Sequence, residues 1–317
     1  MEESVTKEFK QFAMVTDYSD HHYSTRSISS TGNNRSFTST NSIACKKIMQ
    51  ERSILENNLP ETISVRGYEG RIDLLRAVIV GANGTPYHDN IVFFDIAFPI
   101  DYPNQPLVVY YHSGGLRLKP NLYQNGYVCL SLLNTWGGSG NERWVPSHSS
   151  ILQALVSLQG LVLNEKPYYN EPGTKPSDDC KDCNNGVFIL SCKTMLFSFQ
   201  NPPKNFEGFV SLFFRERATT ILKACNGYMN GEASLSYNST TASTNSKFKK
   251  DLNTIYKKLE EAFTKNGMSQ PKESDVVKED EVVELKSAKI KRKRKTLKNE
   301  IEHDHFTRSK ASKVTTA

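Results

Sequence analysis

The spacing of apolar and polar positions changes character several times along the chain, and each change predicts an element. Between residues 43 and 58, Ala44, Ile48 and Leu55 fall on one helical stripe, while Lys46, Lys47, Glu51 and Arg52 fall elsewhere. This predicts an amphipathic helix with one face on a core. Asn41 or Ser42 stands where a cap is needed, and Pro60 stops the helix. Strand-like runs follow at 71–80, 91–98 and 107–111, separated by Gly81-Ala82-Asn83-Gly84-Thr85-Pro86 and by a stretch that begins on Pro99 and ends on Pro106. Connections this short favour an antiparallel meander. The middle run is apolar at both parities (Val92, Phe94, Ile96, Phe98 and Ile91, Phe93), so the sheet must be covered on one face and on part of the other. The cover predicted for it is a helix over 149–163, where Ile151, Leu155, Leu158 and Val162 repeat at helical spacing behind a cap at Ser147 or Ser149.

Beyond residue 172 two apolar runs, 187–199 and 206–222, read as helices broken by Asn201-Pro202-Pro203, followed by a polar stretch near 233–246 and a short final helix over 250–263. From Ser24 to Ser42 eleven of nineteen residues are Ser or Thr, which predicts disorder. Upstream, Phe9, Phe12, Met14, Val15 and Tyr18 read as an exposed start rather than a docking segment. The expected organisation is a disordered 1–40, a folded domain over 41–172, a helical extension with a polar linker over 173–263, and a disordered basic tail over 264–317.

Composition narrows the function classes. The chain has 317 residues with 40 Lys+Arg against 34 Asp+Glu. Residues 271–317 hold 13 of the bases and 9 of the acids, leaving 27 against 25 in the remainder. A nearly neutral body is a poor phosphate-tracking surface, so nucleic acid is not an expected partner. The longest apolar run is far short of the roughly 20 residues that span a bilayer, and the start carries no apolar leader segment, so no membrane span is expected and the six thiols are expected to be reduced. Cys180-Lys181-Asp182-Cys183 has half the spacing of a zinc site. Cys192 and Cys225 would have to complete it, and they are not spaced as a second pair, so no metal and no cofactor is expected.

The chemistry concentrates between Tyr102 and Trp144, a long passage with little regular pattern but many aromatic residues. Passages of this kind inside compact domains usually surround a site. It holds Tyr102-Pro103-Asn104-Gln105-Pro106, then Lys119-Pro120-Asn121, then Cys129 eight residues after Asn121, then Trp144-Val145-Pro146 before the covering helix. These motifs, in this order and spacing, resemble the ubiquitin-conjugating (E2) enzymes over about residues 43–172. Asn121-Leu122-Tyr123, the run from Val128 to Leu133, and Pro167-Tyr168-Tyr169-Asn170-Glu171 are similar to the large E2/E3 hybrid branch, with its BRUCE-like and plant members. Those relatives carry a long N-terminal region that has no counterpart in the Ser/Thr-rich residues here.

The resemblance implies an α+β fold with a four-stranded antiparallel sheet, its fourth strand between 116 and 123 or very short, flanking helices and a small C-terminal helical extension. It implies acyl transfer: Cys129 accepts ubiquitin as a thioester from an activating enzyme (E1) and passes it to a substrate lysine, with an E3 ligase as a further partner. For Asn121 two roles stand open, donor to the tetrahedral oxyanion or shaper of the loop. The family's His is replaced by Lys119, and the aromatic residue that docks RING-type ligases by Asn104. Gly137 to Arg143 lengthen the loop beside the nucleophile. Glu165 and Glu171 stand near where the family has acids that assist the attacking amine, but both read first as solvated surface charges. His112 and His148 do not form a cysteine-protease pattern with Cys129. Lys46 and Lys47 offer positive charge to an activating enzyme. A catalytically inactive E2-like scaffold is the alternative reading, and a nuclear binding protein acting through its tail a third. The basic cluster at 289–295 adds an expectation of nuclear as well as cytoplasmic location.

Overall fold

A computed structural model describes residues 9–25, 43–118, 120–170, 179–233, 235 and 246–267, with backbone alone at 141 and 179–182. Lys119, Glu171, Asn41, Ser42, the tail and its basic cluster, and most of the Ser/Thr-rich run lie outside these residues. Ten elements occur in the order β1 (Phe12–Val15), α1 (Ile43–Asn58), β2 (Ile63–Tyr68), β3 (Leu74–Val80), β4 (Ile91–Ala97), β5 (Val108–Tyr111), α2 (Ile151–Ser157), α3 (Asp179–Gln200), α4 (Glu207–Asn230) and α5 (Ser246–Lys265).

The sheet has five strands in the order β1-β2-β3-β4-β5. Strands β2 to β5 form the antiparallel meander, and β1 adds in parallel to β2, with Phe12 opposite Val65 and Val15 opposite Tyr68. Two expectations are corrected here. The fourth meander strand is β2, ahead of the three legible runs, and the segment between 116 and 123 contributes only an isolated bridge, Leu122 to Val128. Of the residues read as an exposed, disordered start, Phe12, Met14 and Val15 instead pair with β2. Gly67 permits this approach, because a Cβ there would lie 2.7 Å from the Met14 sulfur.

Side chains alternate across the sheet. On the first face Ile63, Val65, Leu75, Ala77, Ile79, Val92, Phe94 and Ile96 join Ile48 and Leu55 of α1 and Ile151, Ala154 and Leu155 of α2 in one apolar core. Helix α2 is capped by Ser150, whose hydroxyl accepts from the Gln153 N–H at 3.2 Å, rather than by Ser147 or Ser149. Ser149 accepts from the Val145 N–H instead. After Ser157 the helix widens into one π-helical turn, Leu158–Val162, which keeps Leu158 and Val162 in the core.

The second face carries Val78, Ile91 and Phe93, which α3, α4, α5 and the segment between α3 and α4 cover with Phe188, Met195, Phe206, Phe214 and Phe263 among others. Across its middle runs a row of polar residues in register, Arg66 opposite Arg76, Arg76 opposite Asp95, and Asp95 opposite Tyr110. Like charges directly opposite one another destabilise a sheet. Here each guanidinium is engaged separately. Arg66 stacks on the rings of Phe9 and Phe206 at 3.9 and 5.1 Å and donates to the Lys10 carbonyl. Arg76 makes paired bonds to Asp95 at 2.6 and 3.0 Å and a third to Asp20 at 2.8 Å.

The strap formed by residues 16–25 lies over this row. The His22 N–H donates to Asp95, the His22 ring stacks on Tyr110 at 3.6 Å, and Asp17 and Asp20 bind the Lys204 ammonium and N–H in the α3–α4 connection.

Candidate functional site

The passage between β5 and α2 is irregular, yet its backbone is fixed at nearly every step. Asn125 and Gly126 turn the chain back on itself. The Gly126 N–H donates to Tyr123, the Tyr123 N–H to Tyr127, and the Asn125 side chain accepts from the Tyr127 N–H. Gly126 has φ +84, and a Cβ there would collide with the Tyr110 ring, so only glycine serves. This turn sets Leu122 against Val128 and brings Asn121 beside Cys129. Two reciprocal bonds join that pair: the Cys129 N–H donates to the Asn121 carbonyl at 2.9 Å, and the Asn121 side-chain amide donates to the Cys129 carbonyl at 3.0 Å.

Beyond the cysteine, Leu130, Leu132 and Leu133 are buried and hold a 3-10 turn, Ser131–Leu133. Thr135 closes it, its hydroxyl accepting from the Leu130 N–H at 3.0 Å and reaching the Leu130 carbonyl at 3.1 Å. Ser131 donates to the Gly137 carbonyl, and Arg143 to the Gly138 carbonyl at 2.8 Å, which folds the extra loop residues onto the turn. The Trp144 indole donates to the Pro103 carbonyl at 2.6 Å and packs on Tyr102, joining the Tyr-Pro turn, which contains a cis Tyr102–Pro103 peptide, to the start of α2.

Cys129 is sheltered, with 4% of its surface exposed. Burial pushes its thiol above the ordinary range, and the Tyr123 hydroxyl and the Arg117 charge oppose that rise. Tyr123 is half-buried and Arg117 exposed. The Arg117 guanidinium sits over the Tyr123 ring, 4.5 Å from its centroid. His112 pairs with Asp95 at 2.9 Å on the second face of the sheet, and His148 is exposed and bonded to Ser147. Neither supplies a base to the thiol. Glu165 is a solvated partner of Lys166 at 3.1 Å. Asn104 is exposed in the Tyr-Pro turn.

Glu51 departs most from its sequence reading. Placed on the polar side of α1, it is fully buried and accepts from the Tyr102 hydroxyl at 2.9 Å and from the Ile151 N–H, the first residue of α2, at 3.2 Å. A carboxylate at a helix start with a phenol donor is well satisfied. Lys47 pairs with it at 3.3 Å, which leaves Lys46 as the freely exposed cation of that turn. Arg52, also assigned to the polar side, is buried and donates to the Ile72 carbonyl. The Asn125-Gly126 dipeptide, a strong hairpin signal that the sequence analysis passed over, could have shown that the chain folds back to pair Leu122 with Val128.

Among the described residues no three His, Cys, Asp or Glu side chains gather as metal ligands, and no helix is long and apolar enough to cross a membrane. Cys192 and Cys225 are buried in the second core, and the Cys180 side chain lies outside the described residues.

Comparison with known proteins adds an independent finding. The family model described as ubiquitin-conjugating enzyme matches residues 47–182. "Probable ubiquitin-conjugating enzyme E2 25" of Arabidopsis thaliana is 51% identical over 230 residues, covering 70% of this chain and 37% of that protein. "Putative ubiquitin-conjugating enzyme E2 38" of the same plant is 49% identical over 238 residues, covering 73% of this chain and 71% of the relative. The human "Dual E2 ubiquitin-conjugating enzyme/E3 ubiquitin-protein ligase BIRC6" is 35% identical over 199 residues, covering 58% of this chain and 4% of that protein. The chain therefore spans less than half the length of several relatives it matches.

Proposed function

This chain belongs to the ubiquitin-conjugating enzyme family, and on that premise we propose that Cys129 carries ubiquitin as a thioester between an activating enzyme and a substrate lysine. In the first step the Cys129 sulfur, having lost its proton to solvent, attacks the carbonyl carbon of the activating enzyme's ubiquitin thioester. A carbon–sulfur bond to Cys129 forms, the bond to the activating enzyme's sulfur breaks, and that sulfur leaves as a thiolate that takes up a proton. In the second step a neutral lysine amine attacks the same carbonyl. A carbon–nitrogen bond forms, the bond to Cys129 breaks, and the amine's surplus proton returns the departing sulfur to a thiol. Sulfur suits both steps because it is a strong nucleophile and its acyl form stays reactive toward amines.

The observation that carries this reading is the Asn121–Cys129 pairing, which places the candidate nucleophile on a rigid turn beside an amide donor. Asn121 shapes that loop, since its amide holds the Cys129 carbonyl. We assign its second amide hydrogen to the oxyanion of each tetrahedral intermediate. The partners that follow are ubiquitin, an activating enzyme and a substrate protein. Asn104 supplies no apolar anchor to a ligase, so that contact is the weakest of the set.

Incubation with activating enzyme, ATP and ubiquitin tests the reading. A reducible adduct forms on the full chain and is absent from Cys129→Ala. An adduct that persists in the variant places the nucleophile elsewhere. If the unaltered chain forms none, the shelter of the thiol favours the inactive-scaffold alternative, a protein that binds ubiquitin or a ligase without loading it. Nuclear location is a separate proposal from the basic cluster at 289–295, and deletion of residues 286–317 with unchanged nuclear accumulation removes it.

A further inference from the structure

Strand β5 lies at one edge of the sheet, and its outer side is only partly covered. In an antiparallel pair, successive residues turn their backbone groups alternately toward the partner strand and away from it. The His112 N–H bonds the Phe93 carbonyl, one step beyond the pairing of Tyr111 with Phe94, so the N–H and C=O of Tyr111 and of Val109 face away from β4. The Tyr111 N–H donates to the Gly126 carbonyl at 2.8 Å, which ties the Asn125-Gly126 hairpin to the edge. Val109 has no such partner among the described residues.

The hairpin strand has the matching feature. The Cys129 N–H bond to Asn121 and the Tyr123 N–H bond to Tyr127 bracket the Leu122–Val128 bridge, so the N–H and C=O of Val128 point away from Leu122. Among the described residues these groups are also unpaired. The two strands therefore meet at Tyr111 and Gly126, and two residues further along each they border a groove of about 420 Å³ that Val109 and Val128 both line. Its other walls include Pro106 of the Tyr-Pro turn, Tyr110, Tyr127, and Leu133 of the turn after Cys129, and among the described residues no charged side chain borders it. Both valines are buried, and buried backbone groups are nearly always paired. An open strand edge is a template for another strand.

We propose that this groove takes an extended, uncharged segment of the substrate protein, which adds as a strand between β5 and the strand that carries Cys129. The inference rests on Cys129 as the thioester carrier and Asn121 as the oxyanion donor, and it deepens that reading by saying where the substrate chain lies. Val128 adjoins Cys129, so a segment bonded to the Val128 backbone sits one residue from the reacting position. Asn121 and the groove flank the Cys129 strand on opposite edges. The thioester oxygen turns toward Asn121, and an amine attacks a carbonyl at an obtuse angle to that oxygen. This gives the groove side to the incoming lysine and its neighbours rather than to ubiquitin. Main-chain bonds to Val109 and Val128 supply affinity, the Tyr and Leu walls select apolar side chains at alternate positions, and the lysine arrives already oriented.

The probe is an acetylated peptide of alternating threonine and valine ending in lysine, made plain and with its central residues N-methylated, which keeps every side chain but removes backbone donors. Amide hydrogen exchange of the full chain is read by NMR at Val109 and Val128. The expected result is about tenfold slower exchange at both with the plain peptide in excess and no change with the methylated one. The ubiquitin adduct is then discharged about tenfold faster by the lysine of the plain peptide than by that of its methylated twin.

Exchange that the plain peptide leaves unaltered at both valines overturns the proposal. So does protection of both by the ubiquitin adduct alone, which would give the groove to ubiquitin, or by raising the protein concentration, which would give it to a second copy. The loading assay on the unaltered chain keeps the two levels apart: no adduct defeats the reading of Cys129, while an adduct together with unprotected valine amides defeats the groove alone.

Discussion

The two faces of the sheet are built by different physics. The first is apolar across β2, β3 and β4 and meets α1 and α2 through ordinary side-chain packing, with Glu51 at its margin tying α1, the Tyr-Pro turn and α2 together. The second interrupts its apolar cover with a row of charge, Arg66, Arg76 and Asp95, and needs the strap and the α3–α4 connection to satisfy it. An apolar face tolerates many covers of about the right volume, whereas a buried ion pair accepts few. The second face therefore specifies its cover more narrowly than the first, and the helices beyond residue 179 belong to the sheet as much as α1 does.

The largest effect expected from breaking this contrast is at Asp95. Arg76 and Asp95 have fully buried side chains, and Asp95→Ala leaves the guanidinium with Asp20 as its remaining carboxylate. A loss of about 3–5 kcal/mol in urea-monitored unfolding is expected. A loss below ~1 kcal/mol would mean that the charge row makes no special demand on its cover. Although burial by itself would raise it, His112 and Arg76 hold the Asp95 carboxyl far below the usual carboxylate range, so this contribution persists through mild acid.

Leu155→Ala, on the first face, is expected to cost about 3 kcal/mol, the ordinary penalty of an apolar cavity, without altering the pH dependence of stability. If its cost matched or exceeded that of Asp95→Ala, the charge row would lose its claim to be the more demanding contact.

The smallest effect sharpens the contrast by pH. His21 is buried with one ring nitrogen 3.0 Å from the Leu75 carbonyl and the other accepting from the Tyr23 N–H. Burial pushes its pKa down, against the pull of Asp95. A histidine that is harder to protonate in the folded than in the unfolded chain stabilises the fold above about pH 6.5, and that stability is lost as pH falls below it. His21→Gln should flatten the decline in urea midpoint between about pH 7.5 and 5.5. An unaltered slope would assign the decline to other groups.

The sequence shows β3, β4, β5, α1 and α2 through period, because each carries at least one uninterrupted apolar stripe. Strand β2 was lost because Ile63 and Val65 are followed by Arg66 and Gly67, a pattern of two apolar positions that turns usually explain. Strand β1 was lost because its partner stands some fifty residues away, and no local pattern announces a parallel edge.

Glu51 and Arg52 were misplaced for one reason: helical period assigns a charge to solvent unless its partners are known, and those partners, Tyr102, Ile151 and Ile72, come from other elements. In the site, motif spacing singled out Cys129 and Asn121, while Tyr123 and Arg117 gained meaning only once the Asn125-Gly126 turn folded the chain back. The cap of α2 was off by one to three residues, since nearby serines at 147, 149 and 150 are equivalent in sequence and are distinguished only by which N–H each can reach.

The anchoring of the strap to Lys204 has a consequence for how the chain is assembled. Asp17 and Lys204 are separated by 187 positions, so on the ribosome the strap emerges long before its last partner exists. Contacts of such sequence separation close slowly. Until the α3–α4 connection is made, Asp17 and Asp20 lack the Lys204 contacts that fasten the strap over the charged row, and that side of the nascent meander stays unfinished until its latest neighbour arrives.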